Sequence, residues 1–127
     1  MAVAKLEHVN VTVSDPLRTA EMLCRLFDWQ IRWRGASQMG GSSVHVGTAE
    51  DYVALYTPET RPLQHADSDA KGGLNHIGIV VDDLDAAERR VLDAGYRTHS
   101  HYDYEPGRRF YFDDEDGIEF EIVSYRG

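Results

Sequence analysis

Three side chains form a set that could hold a divalent metal ion: His8, His76 and Glu121. Two imidazoles and a carboxylate are a known ligand set, and they leave coordination positions open for water or substrate. A metal held this way acts as a Lewis acid and as a template for a substrate that offers it two oxygens. Singly, the residues say little. One His on a strand is more often hydrogen-bonded or exposed than a ligand, and a lone Glu is usually a surface carboxylate. Their place in a repeat is what joins them.

The segment Leu6-Glu7-His8-Val9-Asn10-Val11-Thr12-Val13-Ser14-Asp15 lies over Leu74-Asn75-His76-Ile77-Gly78-Ile79-Val80-Val81-Asp82-Asp83. Leu6 matches Leu74, His8 matches His76, Val13 matches Val81 and Asp15 matches Asp83, all at one constant spacing. Internal repetition of this kind marks a duplicated supersecondary unit. Strand side chains alternate between faces. Val9, Val11 and Val13 therefore share a face that packs under a helix, as do Ile77, Ile79 and Val81. His8 and His76 then project from the helix-free face. The last strand repeats the logic: Ile118, Phe120 and Ile122 turn inward, while Glu119 and Glu121 turn to the face of the histidines.

The elements that position these residues are equally repetitive. Ser14 or Asp15 caps a helix with Pro16 in its first turn, and Asp82 or Asp83 caps its counterpart. Ala20, Leu23 and Phe27, widened by Met22 and Leu26, make one helical stripe; Leu84, Ala87 and Val91 make the other. Gly95 is a natural stop for the second helix. Further strands are predicted near Gln30–Arg34, Ser42–Gly47 and Tyr52–Tyr56, then near Tyr96–His101, Arg109–Phe112 and Ile118–Ser124. Gly40-Gly41 and Pro106-Gly107 mark turns. The order is βαβββ twice over, an α+β fold in a single domain over 1–127. The modules span about 4–57 and 73–125, and a polar linker with Pro58 and Pro62 spans about 58–72.

Composition narrows the classes. The 127 residues are 42% hydrophobic and 28% charged, a globular balance. A net charge of −9 disfavours nucleic acid as a partner. No apolar run is long enough to span a bilayer, so no membrane partner is expected. The N-terminal segment lacks the apolar stretch of a secretory signal. Cys24 is the only cysteine, within a predicted helix, which fits a small core filler and a cytoplasmic setting.

The same residues resemble the vicinal oxygen chelate superfamily. That group includes glyoxalase I, extradiol dioxygenases, fosfomycin-modifying enzymes, methylmalonyl-CoA epimerase and bleomycin-resistance proteins. The carriers are Leu6-Glu7-His8-Val9, Leu74-Asn75-His76-Ile77-Gly78-Ile79 and the run from Phe110 to Glu121, where Glu115 stands in place of the usual Pro. The resemblance implies two βαβββ modules forming a curved mixed β-sheet cup with helices outside. It implies one divalent ion (Fe2+, Mn2+, Zn2+ or Ni2+) on His8, His76 and Glu121. A fourth ligand is expected where Glu121 overlays the first module. With Val44-His45-Val46 laid over Phe110-Tyr111-Phe112 that position is Leu55, with Tyr56 beside it. Neither is a usual ligand, which speaks against glyoxalase I and the epimerase. Asn10, where fosfomycin enzymes carry Thr, disfavours that activity too.

Around the metal, Tyr111 is a candidate to hydrogen-bond a substrate oxygen, or else an aromatic wall. His45 is a candidate proton shuttle, or else a partly exposed strand residue. Asn10 and Glu119 are expected to line the cup. Arg108 and Arg109 are candidates to bind an anionic substrate, or are ordinary surface charge. Trp29 and Trp33 read most simply as packing or dimer contacts. The expected function is a metal-dependent enzyme acting on a small vicinal-dioxygen substrate by dioxygenase- or lyase-type chemistry. The alternative is a binding protein of the bleomycin-resistance type, since the acidic charge and 10% aromatic content suit a flat cationic ligand. Exposed sheet edges favour pairing, so a homodimer is expected.

Overall fold

The computed structural model describes residues 2–38, 40–60, 63–64, 67–104 and 107–126. Pro62 of the predicted linker and Pro106 of the predicted turn lie outside the described residues. The chain divides into two compact units, Met1–Leu63 and Gln64–Gly127, each with its own sheet and helix.

In the first unit the order is β1 (His8–Thr12), α1 (Pro16–Phe27), β2 (Gln30–Ala36), β3 (Ser42–Gly47) and β4 (Tyr52–Thr57). The sheet runs β1-β4-β3-β2, with β1 parallel to β4 and the other pairs antiparallel. A parallel pair needs a crossover, which α1 begins. Asp15 caps α1 by accepting a hydrogen bond from the Arg18 N–H at 3.2 Å, and Pro16 occupies the first turn. Asp28, in the left-handed region at φ 60°, ends the helix. Ala20, Met22, Leu23 and Leu26 are buried against the sheet, whose Val44, Val46, Val53 and Leu55 are buried too. The expected apolar face of β1 is corrected at one end. Val11 and Val13 are buried, but Val9 is 43% exposed. The reason is geometric: α1 packs on β2, β3 and β4, and β1 is an edge strand.

The second unit follows the same plan: β5 (Ile77–Val80), α2 (Leu84–Asp93), β6 (Thr98–Tyr104), β7 (Gly107–Asp113) and β8 (Glu119–Ser124), in the sheet order β5-β8-β7-β6. Asp83 caps α2 through the Ala86 N–H at 3.0 Å, and Gly95 at φ 97° follows its end. Phe110, Phe112, Phe120, Ile122 and Val91 are fully buried, and Phe112 stacks on Phe120 with centroids 5.1 Å apart. Burying each Phe contributes roughly 2–3 kcal/mol, which makes the sheet under α2 a rigid platform.

Strand β6 carries a bulge. His99 pairs with Tyr111 and Tyr102 with Arg109, so Ser100 and His101 together face one residue of β7. Ser100 takes φ 56° to make the bend. Strict alternation would put His99 and His101 on one face. The bulge separates them: His99 stays with Tyr111 on the helix-free face, whereas His101 Nε2 meets Glu88 Oε2 of α2 at 2.6 Å.

Candidate functional site

The second unit brings His76, Glu121 and Tyr111 together. Tyr111 pairs with Glu121 across β7 and β8, and Gly78 pairs with Glu121 across β5 and β8. His76, immediately before β5, places its Nε2 3.0 Å from Glu121 Oε1. Two donor atoms held at right angles about 2.1 Å from one ion lie about 3.0 Å apart, so this pair already has the spacing of adjacent metal ligands. The other ring nitrogen is occupied. His76 Nδ1 donates to Asn75 Oδ1 at 2.7 Å, and Asn75 Nδ2 in turn donates to the Ser68 carbonyl at 3.4 Å. That bond fixes the proton on Nδ1 and leaves the Nε2 lone pair for a cation, the usual outer support of a ligating His. The residues present therefore fit a divalent ion.

Arg109 is the member that reading the sequence undervalued. It is not ordinary surface charge: its side chain is 11% exposed and its Nη1 donates to Glu121 Oε2 at 2.9 Å. The parity of β7 is the signal that finds it, since 109, 111 and 113 share a face. Arg108 points elsewhere and pairs with Asp85 at 3.2 Å. Burial pushes the Glu121 carboxyl up, but hydrogen bonds from Arg109 and Tyr111 bring it below its ordinary value. Burial, and then its bond to Glu121, push the Tyr111 hydroxyl up to about 12. Tyr111 is thus a proton-bearing donor at neutral pH, not a base.

The first unit holds His8 in the same way. Its Nδ1 donates to Glu7 Oε1 at 2.8 Å, which again leaves Nε2 free. His8 stacks on Tyr52 at 4.9 Å, Tyr52 on His45 at 4.6 Å, and His45 meets Trp33 at 5.0 Å. Arg32 lies 4.4 Å over the Tyr52 ring. Burial above all, with the Arg32 guanidinium nearby, holds His45 below the ordinary imidazole range. His45 is therefore neutral at pH 7 and can accept a proton. Trp33 is 48% exposed, on the ring row with His45.

The expected counterpart of Glu121 in this unit needs correction. Tyr111 faces Glu121, and its counterpart His45 faces Ala54, not Leu55. The connection after β3 spans 48–51 and that after β7 spans 114–118, one residue longer. The overlay therefore shifts by one beyond the turn. Ala54 has no ligand atom, so the fourth position is empty of donors by either residue.

A second cluster escaped the sequence. His99, Asp113 and Glu119 each offer a ligand atom, and these atoms lie within 4.8 Å of one another. Glu119 was expected to line the cup beside Glu121; here it pairs with Asp113 across β7 and β8. Its alliance with His99 depends on the β6 bulge, which alternation alone does not reveal.

Comparison with known proteins adds the following. The family described as the Glyoxalase/Bleomycin resistance protein/Dioxygenase superfamily matches residues 5–122. No curated protein matches the sequence. The fold is similar to a glyoxylase/bleomycin resistance protein/dioxygenase domain from Frankia sp. EAN1pec, with a TM-score of 0.82 and 23% identity, covering 98% of this chain and 94% of that one. It is also similar to the fosfomycin resistance protein FosX from Listeria monocytogenes complexed with Mn(II) and sulfate, with a TM-score of 0.72 and 19% identity, covering 97% and 93%. FosX from Mesorhizobium loti gives a TM-score of 0.71 at 23% identity, covering 96% and 92%.

Proposed function

This chain belongs to the Glyoxalase/Bleomycin resistance protein/Dioxygenase superfamily, and on that premise we propose that it is a metal-dependent enzyme acting on a small substrate with two vicinal oxygens. The proposed reaction is of dioxygenase or lyase type. One divalent ion, Fe2+, Mn2+, Zn2+ or Ni2+, would be held by His76 and Glu121, with His8 as the third ligand. One observation carries the reading: His76 Nε2 and Glu121 Oε1 stand at ligand spacing, 3.0 Å, while Asn75 occupies His76 Nδ1. Relatives in the superfamily include the Mn(II) complex of FosX.

When bound, such an ion polarises and orients the two substrate oxygens. Arg109 keeps Glu121 ionised and fixes one of its oxygens, so the other is free to ligate. Tyr111 keeps its proton, donates it in a hydrogen bond to Glu121, and would present its oxygen to a substrate hydroxyl unless the substrate displaces that bond. His45, neutral at pH 7, is the proposed proton acceptor. A cytoplasmic setting and a homodimer belong to the same proposal; sedimentation at micromolar concentration checks the second.

A second reading, sequestration of a small ligand without turnover, is favoured by the Arg109–Glu121 pair. At 2.9 Å it neutralises the carboxylate with no cation needed. Elemental analysis of untagged protein purified anaerobically separates the two. Close to one equivalent of Fe, Mn, Zn or Ni, lost in His8→Ala, His76→Ala and Glu121→Ala, supports the enzyme. No metal, and none taken up on titration, supports sequestration.

A further inference from the structure

We propose that the second unit holds a separate cation site on His99, Asp113 and Glu119, suited to Zn2+ or a similar borderline dication. It does not rest on the function proposed above and shares no ligand with it. The donor set is one imidazole and two carboxylates, and their ligand atoms lie within 4.8 Å of one another. His99 Nε2 is 3.4 Å from Asp113 Oδ2. That is about the edge of a tetrahedron whose corners sit roughly 2.1 Å from a central Zn2+. The first pair, at 3.0 Å, has the shorter spacing of ligands at right angles.

The independent observation is on His99. Its Nε2 is buried and has no hydrogen-bond partner, although its carboxylate neighbour is near. Its Nδ1 is engaged with Ser100 Oγ at 2.8 Å. With the proton on Nδ1 and Ser100 accepting, Nε2 presents a bare lone pair towards an anionic oxygen. Two lone pairs facing each other repel, and a dication between them converts the repulsion into two bonds. The bulge that sets Ser100 at φ 56° is what aims the ring this way.

The site is not a by-product of the duplication. By strand register, the first-unit counterparts of His99, Asp113 and Glu119 are Trp33, Gly47 and Tyr52. None can ligate a hard or borderline cation well. The three donors are thus a feature of the second unit alone. The side chains of His99 and Asp113 are 40% and 51% exposed, so water or a second ligand can reach the remaining coordination positions.

The test is Zn2+ titration against a chromogenic chelator with the full chain. The double variant His76→Ala/Glu121→Gln removes the first set and should still bind one equivalent. Adding His99→Ala should abolish that uptake, and adding Glu119→Gln should weaken it at least tenfold. No uptake by the double variant, or uptake unchanged by His99→Ala, would overturn the proposal. Wild-type protein provides a check that needs no folding of variants: long-range 15N spectra should show the His99 Nε2 resonance move on Zn2+ addition. If it stays fixed through two equivalents, the site does not exist. Zn2+ that moves His99 but not His76 would support this site alone, and the function proposed above fails separately only if Fe2+, Mn2+ and Ni2+ also leave His76 unmoved.

Discussion

Replacing Asn75 by Ala tests the tautomer argument directly. Asn75 does not touch the proposed ion; it accepts the His76 Nδ1 proton at 2.7 Å and is itself held by the Ser68 carbonyl. Without it, the neutral ring is free to carry its proton on Nε2 instead, and in that form it cannot ligate. A hydrogen bond of this kind contributes about 1 kcal/mol net, or roughly a fivefold bias between the two tautomers. Loss of ring orientation adds to this, and removal of such outer supports weakens metal binding by about 10–100-fold in general. Because both side chains are partly exposed, the lower end applies, and Asn75→Ala should weaken Mn2+ or Zn2+ binding at the first site by about tenfold. Asn75→Asp keeps an acceptor and adds negative charge, so it should bind at least as tightly as wild type. Competition titration at about pH 7.5, with circular dichroism to confirm folding, reads both. Equal affinity in wild type and Asn75→Ala, or a loss as large in Asn75→Asp as in Asn75→Ala, would refute the reasoning.

Three further outcomes are expected. Arg109→Gln should raise the Glu121 carboxyl from its lowered value, because burial then acts with one strong donor removed; carboxyl 13C titration reads this, and an unmoved titration contradicts it. Burial lifts Asp114 to about 6 even though the Asp116 and Ile118 N–H groups donate to its Oδ1. A folded-state value above the unfolded one means that the charge costs stability above about pH 6 and that the cost vanishes below about pH 4. Asp114→Asn keeps the acceptor oxygen, so it should stabilise by up to about 3 kcal/mol near pH 8 and be nearly neutral near pH 3.5 in urea unfolding; a loss of stability at pH 8 would contradict it. Phe112→Ala, at a fully buried stacked ring, should cost about 3–5 kcal/mol in the same assay, and a cost below about 1 kcal/mol would show that the sheet collapses around the gap.

Much of this was legible because two periodicities agree with two caps. Val11 and Val13, or Ile77 and Ile79, alternate; Asp15 and Asp83 stop the strand and start the helix; the buried stripes on α1 and α2 fall at helical spacing. The place of His76 beside Glu121 followed from parity alone. What stayed hidden depends on single-residue insertions. The longer turn at 114–118 moved the counterpart of Glu121 from Leu55 to Ala54. The bulge at Ser100 parted His99 from His101. Each insertion reverses the face of every residue beyond it; the bulge at Ser100 leaves no Gly or Pro at the break, and Gly117 in the longer turn marks a turn without giving its length. Arg109 was hidden for another reason: an Arg is read as solvated until a carboxylate on the neighbouring strand, here Glu121, is known to lie within reach of it.

The bulges have a consequence for how two of the sheet edges can pair. Strand β2 breaks its register between Ile31 and Trp33, and β6 between His99 and Tyr102; these are the outer strands beside the hairpin in each unit. An outer strand with an unbroken ladder would template the addition of foreign strands and the growth of fibres. The irregularities interrupt that template in both units, each beside exposed aromatic residues, Trp33 and Tyr102, that would otherwise encourage it. The protection covers the β2 and β6 edges only, and deleting Ser100 to straighten β6 would remove it there along with the proposed cation site.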